Sequence, residues 1–395
     1  MDRMICEMIR GVFWNAPIEK HTVEEWAEAY KEVKEHRVEL LFIETLKTWN
    51  VPTDIKNTWK LDCFAITAHN VQLLSLQREI HEHLIKEQIE YSILKGSAAA
   101  VYYPHPLYRT AGDIDIIVRD EDFERTYALF YRLFGVPSIG SKHNGDIREY
   151  VYVKDSFIIE LHHSYSILAN KDYDRIFDSW IKEDIHNYHI RKIEEKYQFC
   201  MPSELINGLV LLAHIAQHLE GGLGLRQVID WMMYVDKCLS DEKWLTIQGM
   251  VQEIGLEKLA ITTTRMCQIY LGLPTKKNHW AESADSVLCN ELMEFVLSCG
   301  DFGRKQGMSN TVSMIVSQNQ GGISLFRNLQ QRGVSNWTAL RQYPFLRPLA
   351  WVYQGCRYLR KGIGRKSALV EIKKELSNGK KRNILLKKLG IKNLK

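Results

Sequence analysis

The sequence predicts an α+β protein, a small mixed sheet flanked by N-terminal and C-terminal helical regions. Two changes of pattern and one anomaly carry that expectation. Apolar residues keep a helical spacing up to residue 90, alternate or run together like short strands from 91 to 200, and return to helical spacing after Pro202. The anomaly is "DIDIIV" (113–118), which sets two acids one residue apart inside an apolar run that otherwise reads as a buried strand.

Each part has its own signals. In the helical lead-in (1–90), "TVEEWAEAYKEV" opens with Thr22 and has Glu25 three residues on, a capping-box pattern, and Leu73, Leu76, Ile80 and Leu84 keep a helical stripe. The α/β core (91–200) reads β-α-β-α-β-β. "YSILKG" is a strand ended by glycine, "SAAAVYY" suits a helix and "PHPLYRTAG" is a loop. "DEDFERTYALFYRLFG" is an amphipathic helix with acids first and glycine last. "REYVYV" and "FIIELHHS" are strands joined by a turn at "KDS". The helical domain (201–345) holds four helical segments divided by glycines, then a loop at "QNQGGIS". A helical basic C-terminal tail (346–395) follows.

Composition excludes several classes. With 45% hydrophobic and 25% charged residues the chain is neither disordered nor fibrous, and a net charge of +4 demands no nucleic-acid partner. The charge is uneven: residues 361–395 hold twelve Lys or Arg against Glu371 and Glu375, so this segment could meet an anionic membrane, nucleic acid or an acidic partner. The eight cysteines form no CxxC pair, which argues against a zinc ribbon or a disulfide framework. "MDRMICEMIRGVFW" carries charges within its apolar run and reads poorly as a signal peptide, and the most apolar window, Leu205 to Ala216, is too short to span a bilayer. The expected location is cytoplasmic, with peripheral contact at the inner membrane face open to the basic tail.

Side chains alternate along a strand, so Asp113 and Asp115 share a face while Ile114 and Ile116 take the other. Two unpaired carboxylates together are costly to bury. A divalent cation between them removes the cost, and Mg²⁺ prefers carboxylate oxygens while keeping positions for substrate phosphate. Glu160 is the acid of "FIIELHHS"; if that strand lies beside "DIDIIV", three carboxylates can hold two Mg²⁺ ions, with Mn²⁺ as a substitute. Gly96-Ser97, between a strand and a helix, can aim backbone N–H groups at phosphate, and Lys95 and Arg109 can neutralise it.

Strand, Gly-Ser, helix, Asp-x-Asp strand and a later acidic strand together resemble the polymerase-β-type nucleotidyltransferase superfamily. "LKGSAAAVYYPHPLYRTAGDIDIIV" and "IIELHHS" look most like a bacterial branch described as uncharacterised nucleotidyltransferases and often associated with polysaccharide-biosynthesis gene clusters. The resemblance spans roughly residues 30–345, including "AHIAQHLEGGLGLRQVIDW". It implies a nucleotidyltransferase core, Gly96-Ser97 as the phosphate turn, and Asp113, Asp115 and Glu160 as metal ligands. It also implies transfer of a nucleoside monophosphate from a triphosphate such as ATP to an acceptor hydroxyl, a sugar or glycan by association alone.

Other residues carry weaker signals. His162 shares the face of Glu160, and His214 and His218 stand one helical turn apart, so they could line a cleft with Arg226 and Asp230. No zinc is expected there, since neither HExxH nor a cysteine pair accompanies them. "EGGLGLRQ" reads as a break between helices. Two other classes remain open from sequence: an inactive nucleotide-binding or scaffold protein on the same fold, and an interaction protein docking through its basic tail.

Overall fold

The computed structural model describes residues 4–143, 146–165, 168, 170–187, 189–309, 343–353 and 379–391, with isolated positions at 330, 333–334, 337, 340 and 356. Helices α1 (Met4–Trp14), α2 (Val23–Glu35) and α3 (Thr53–Lys86) form the lead-in. The core follows as β1 (Tyr91–Leu94), α4 (Gly96–Ala100), β2 (Asp113–Val118), α5 (Asp120–Phe134), β3 (Ser138–His143), β4 (Asp146–Lys154), β5 (Phe157–His162), α6 (Lys171–Asp184), β6 (His189–Ile193) and β7 (Tyr197–Met201). Helices α7 (Glu204–Gly221), α8 (Leu225–Cys238), α9 (Asp241–Glu253), α10 (Glu257–Met266) and α11 (Ser286–Cys299) come next. The architecture is the expected α+β one, a mixed sheet with helical regions on either side.

The five-stranded sheet has the order β1-β2-β5-β4-β3. Strands β2 and β5 run parallel, and every other neighbouring pair is antiparallel. The two-residue turn between β4 and β5 is Asp155-Ser156, both at positive φ (49° and 72°), the backbone a tight hairpin requires. One sheet face is apolar and is covered by α5, where Phe130 packs on Tyr152 and Phe123 on Tyr150. The other face carries the acids.

Two features depart from the sequence expectation. Strand β3 adds a fifth, edge strand; its segment "SIGSKH" is polar and pairs with register shifts, so no alternation announces it. The second is the β6–β7 hairpin, which turns at Glu194 and Glu195, both at positive φ. The capping box at Thr22 and Glu25 is present as expected.

Helix α7 is buried on nearly all sides and crosses α8 closely. A Cβ on Gly208 would meet the Tyr234 ring at 2.2 Å, and Tyr234 is itself packed against Tyr102. Gly208→Ala should therefore overpack this crossing and cost about 1–3 kcal/mol, despite alanine's better helix propensity. A urea denaturation curve with an unchanged midpoint would contradict this account.

The loop "QNQGGIS" and residues 361–378 and 392–395 of the basic tail lie outside the described residues. Residues 379–388 form a helix whose Leu386 joins the core, followed by Leu389. Within it, Arg382 Nη1 donates to the Glu220 carbonyl (2.7 Å), and Lys388 pairs with Glu291 (2.6 Å). Part of the segment's positive charge is thus used inside the chain. Among the described residues, no helix is long and apolar enough to cross a membrane.

Candidate active site

Register brings the acids together. Asp115 pairs with Glu160 across the parallel β2–β5 ladder, Ile117 with His162, and Glu149 of β4 with His162. With period-two alternation, Asp113, Asp115, Glu160, His162 and Glu149 all stand on the face away from α5.

Strand β1 ends beside this face, and Lys95 follows at φ +55° and ψ −142°, a conformation that costs a non-glycine residue about 1–3 kcal/mol. That backbone turns the Lys95 side chain onto the sheet. Its Nζ lies 2.8 Å from Asp115 Oδ1, while His162 Nε2 approaches the same oxygen at 2.9 Å. The imidazole's other nitrogen is 3.3 Å from Glu149 Oε2. Asp115 and His162 have no exposed side-chain surface, so both lie behind the cavity wall.

The wall itself surrounds a cavity of about 370 Å³, within the range of small-molecule sites. Lys95, Gly96, Asp113, Glu149 and Glu160 line the sheet side; His214, Gln217, His218, Arg226 and Phe302 line the helical side, with Arg109 and Arg148 between. Among the predicted site residues, Ser97, Asp115, His162 and Asp230 are not on this lining. Ser97 donates its hydroxyl hydrogen to Gln77 Oε1 (2.8 Å), away from the cavity. Asp230 instead grips Arg109, through Nε (3.0 Å) and Nη2 (2.8 Å), and accepts from the Tyr103 hydroxyl (2.7 Å).

The loop 104–112 is pinned rather than loose. Asn70 of α3 donates to the carbonyls of Leu107 (2.8 Å) and Arg109 (3.1 Å) and accepts from the Ala111 amide (3.0 Å). Arg226 Nη1 donates to the Thr110 carbonyl (3.2 Å). Asn70, Gln77, Arg148, Glu149, Gln217 and Phe302 were not singled out from sequence. Only Glu149 left a usable trace, an acid inside a strand-like run; its facing of His162 depends on register, which sequence does not supply.

The carboxylates titrate differently. The neighbouring charge of Asp115, and then burial, raise the pKa of Asp113. Burial works against the charge of Asp115, but Lys95 and His162 outweigh it and hold that carboxyl well below the usual range. Burial is the main influence raising Glu160. Burial also opposes charge on His162, yet its bonds to Asp115 and Glu160 raise its pKa overall. On the facing wall, His214 Nε2 and His218 Nε2 lie 2.8 Å apart. Burial, then the proximity of His218, takes His214 far below its ordinary value; burial, then Lys95, takes His218 to about 4. Both rings are neutral at pH 7.

The donor set fits a divalent cation. Asp115, Glu160 and His162 offer ligand atoms that all lie within 4.8 Å of one another. Asp115 Oδ2 is buried without a hydrogen-bond partner among the described residues, a cost that a cation would remove. Asp113 supplies a further hard oxygen on the cavity wall.

A sheet carrying Asp-x-Asp beside a parallel acidic strand, under a glycine turn, is the arrangement the sequence led us to expect of nucleotidyltransferases. The chain belongs to the uncharacterised nucleotidyltransferase family, whose model matches residues 22–272. Family membership supports a role in nucleotidyl transfer and implies a nucleoside triphosphate substrate. Among solved structures, an antigenic nucleotidyltransferase-like protein from Paracoccidioides brasiliensis aligns at 13% identity and a TM-score of 0.29, over 52% of this chain and 96% of that one. No curated protein matches the chain.

Proposed function

We propose that the chain is a divalent-metal-dependent nucleotidyltransferase that moves a nucleoside monophosphate onto an acceptor hydroxyl and releases pyrophosphate. The observation that carries this reading is the convergence of Asp113 and Glu160 on one cavity wall, with Asp115 in register behind them. Asp113, Asp115 and Glu160 would hold Mg²⁺ or Mn²⁺. Bound there, a divalent cation would screen the phosphate oxygens and stabilise the charge that develops during displacement.

The chain's own groups account for the rest. The triphosphate lies along Gly96, with Lys95 and Arg226 facing its charge. An acceptor oxygen bonds to the α-phosphorus as the bond from that phosphorus to the bridging oxygen breaks. Glu160, whose proton affinity is raised by burial, takes the hydroxyl proton, and pyrophosphate leaves. Arg109 acts indirectly, its guanidinium held by Asp230, and positions the loop 104–112.

One observation favours a second reading, a nucleotide-binding protein without turnover: the Lys95 ammonium already neutralises Asp115. The two readings separate experimentally. Nucleoside triphosphates labelled at the α-phosphate should be incubated with Mg²⁺ or Mn²⁺ and a panel of sugars, lipid-linked glycans, small hydroxylated drugs, proteins and RNA. The proposal expects label on one class of acceptor, pyrophosphate release in step with it, and loss of both in Glu160→Gln by roughly 10²–10³-fold. Metal-dependent binding with no label transferred to any acceptor would leave the silent reading standing instead. The acceptor we favour, a sugar or glycan, rests on the resemblance alone. Residues 361–395 are proposed as an anionic-surface contact, to be checked by vesicle binding after Lys361, Arg365, Lys366, Lys373 and Lys374 are replaced by glutamine, which leaves the core-packed residues 379–391 in place.

A further inference from the structure

The turn after α11 completes the helical side of the cavity, and it lies beyond residues 22–272, the stretch that the family model matches. Gly300, Phe302 and Gly303 all have positive φ (69°, 50° and 70°). The turn is seated against the junction of α7 and α8 without room for side chains. A Cβ on Gly222 would come within 2.4 Å of Gly303 N, and one on Gly224 within 2.8 Å of Asp301 Cα. Asp301, fully buried, clamps it by accepting from Gln227 Nε2 (2.9 Å) and Arg226 Nη2 (3.3 Å). "EGGLGLRQ" is therefore more than a break between helices: its glycines make the seat for this turn.

What the clamp presents is an aromatic ring. Phe302 is 55% exposed, although it lines the cavity. Its ring meets His218 edge-on at 4.6 Å, and the Arg226 guanidinium lies 5.8 Å from its centre. The backbone at Phe302 is left-handed (φ +50°), and the Asp301–Arg226 pair beside it fixes where this large apolar side chain meets the polar cavity. The sheet wall opposite is charged, with Lys95, Asp113 and Glu160. The helical wall next to the ring offers His214, His218 and Gln217, groups that hydrogen-bond without carrying charge at neutral pH. The guanidinium of Arg226 is the cation of this wall and marks its phosphate side, with the ring and the neutral groups beyond it.

That division matches a nucleotide, whose polyphosphate is charged and whose base is flat, neutral and rimmed with donors and acceptors. We infer that Phe302 is the stacking platform for the nucleobase, a specificity-determining residue supplied by the segment after α11. The inference rests on the nucleotidyltransferase reading of the same cavity. Stacking tolerates every base, since each has a π-face, so preference among bases falls to the neighbouring histidines and Gln217.

The test compares the full chain with Phe302→Ala and Phe302→Trp by calorimetry, in Mg²⁺, using ATP, CTP, GTP and UTP and, as a probe without a base, inorganic tripolyphosphate. The alanine variant should lose about tenfold or more in affinity for the triphosphates that bind, keep its affinity for tripolyphosphate, and regain nucleotide binding as tryptophan. Unchanged nucleotide affinity in Phe302→Ala overturns the inference and leaves the nucleotidyl reading intact. An equal loss for tripolyphosphate also overturns it, because the ring would then only hold the wall. If the wild-type chain binds none of the four nucleotides, the nucleotidyl reading falls and this one with it.

Discussion

Asp113→Asn is expected to remain folded and to lose nucleotide transfer, whereas Asp115→Asn is expected to lose both stability and transfer. The two positions are one residue apart on one strand face, so sequence treats them alike. Their surroundings do not. Asp113 has its pKa raised, chiefly by Asp115, so ionising it costs stability above its folded pKa and that cost disappears as pH falls. The amide removes the cost, and the variant should be at least as stable as wild type at pH 7. Asp115 has its pKa lowered by Lys95 and His162 against the pull of burial. It therefore contributes stability above the unfolded carboxylate pKa of about 3.9, and loses it as pH falls through the lower folded value. Replacing it leaves the buried Lys95 ammonium without its charge partner, a loss of about 3–5 kcal/mol at neutral pH. Transfer should fall roughly 10³-fold in both, the scale of losing one charge contact in the transition state. Urea unfolding at pH 7, near pH 4 and below pH 3 checks the contrast: the gap between wild type and Asp115→Asn should hold down to the unfolded carboxylate pKa and narrow only below it, as pH falls towards the depressed folded value. Equal stability of the two variants at pH 7 would undo the assignment of different roles.

Lys95→Met should show the opposite trade. Methionine keeps the length of the side chain and removes the ammonium, so of its two close partners Asp115 Oδ1 keeps only His162 Nε2. Without metal the variant should be less stable by about 3 kcal/mol. With Mn²⁺ it should recover more than wild type does, because a divalent cation no longer competes with Nζ for Asp115 Oδ1. Cation at one hundred times its dissociation constant stabilises a protein by about 2.7 kcal/mol, enough to restore most of the loss. Triphosphate affinity should drop, since one of the cations facing the phosphates is gone. Melting curves across a Mn²⁺ titration measure both effects. The same metal response in the two proteins would mean that ammonium and metal do not contend for this carboxylate.

The parts of the fold that the sequence discloses are those governed by local period. Strand β2 and the shared face of its two aspartates follow from alternation, and the helical regions follow from the apolar stripes and glycine breaks. What depends on register or on distant partners is not disclosed. That Glu160 faces Asp115, and that Glu149 faces His162, is set by strand pairing. Arg109 reads as a phosphate ligand until Asp230, far along the chain, is seen gripping it. Ser97 reads as a hydroxyl aimed at substrate until Gln77 of α3 is found accepting from it. Strand β3 escapes because an edge strand with polar residues and a shifted register has no apolar face to signal it.

The seat at Gly222 and Gly224 has a meaning for any polypeptide that shares only the matched stretch, residues 22–272. Cut at residue 272, the chain would keep every acid of the sheet and present two bare glycines to water, a socket whose plug is missing. The glycines are thus a footprint. They record, within the matched stretch itself, that this chain folds a later segment back into the notch.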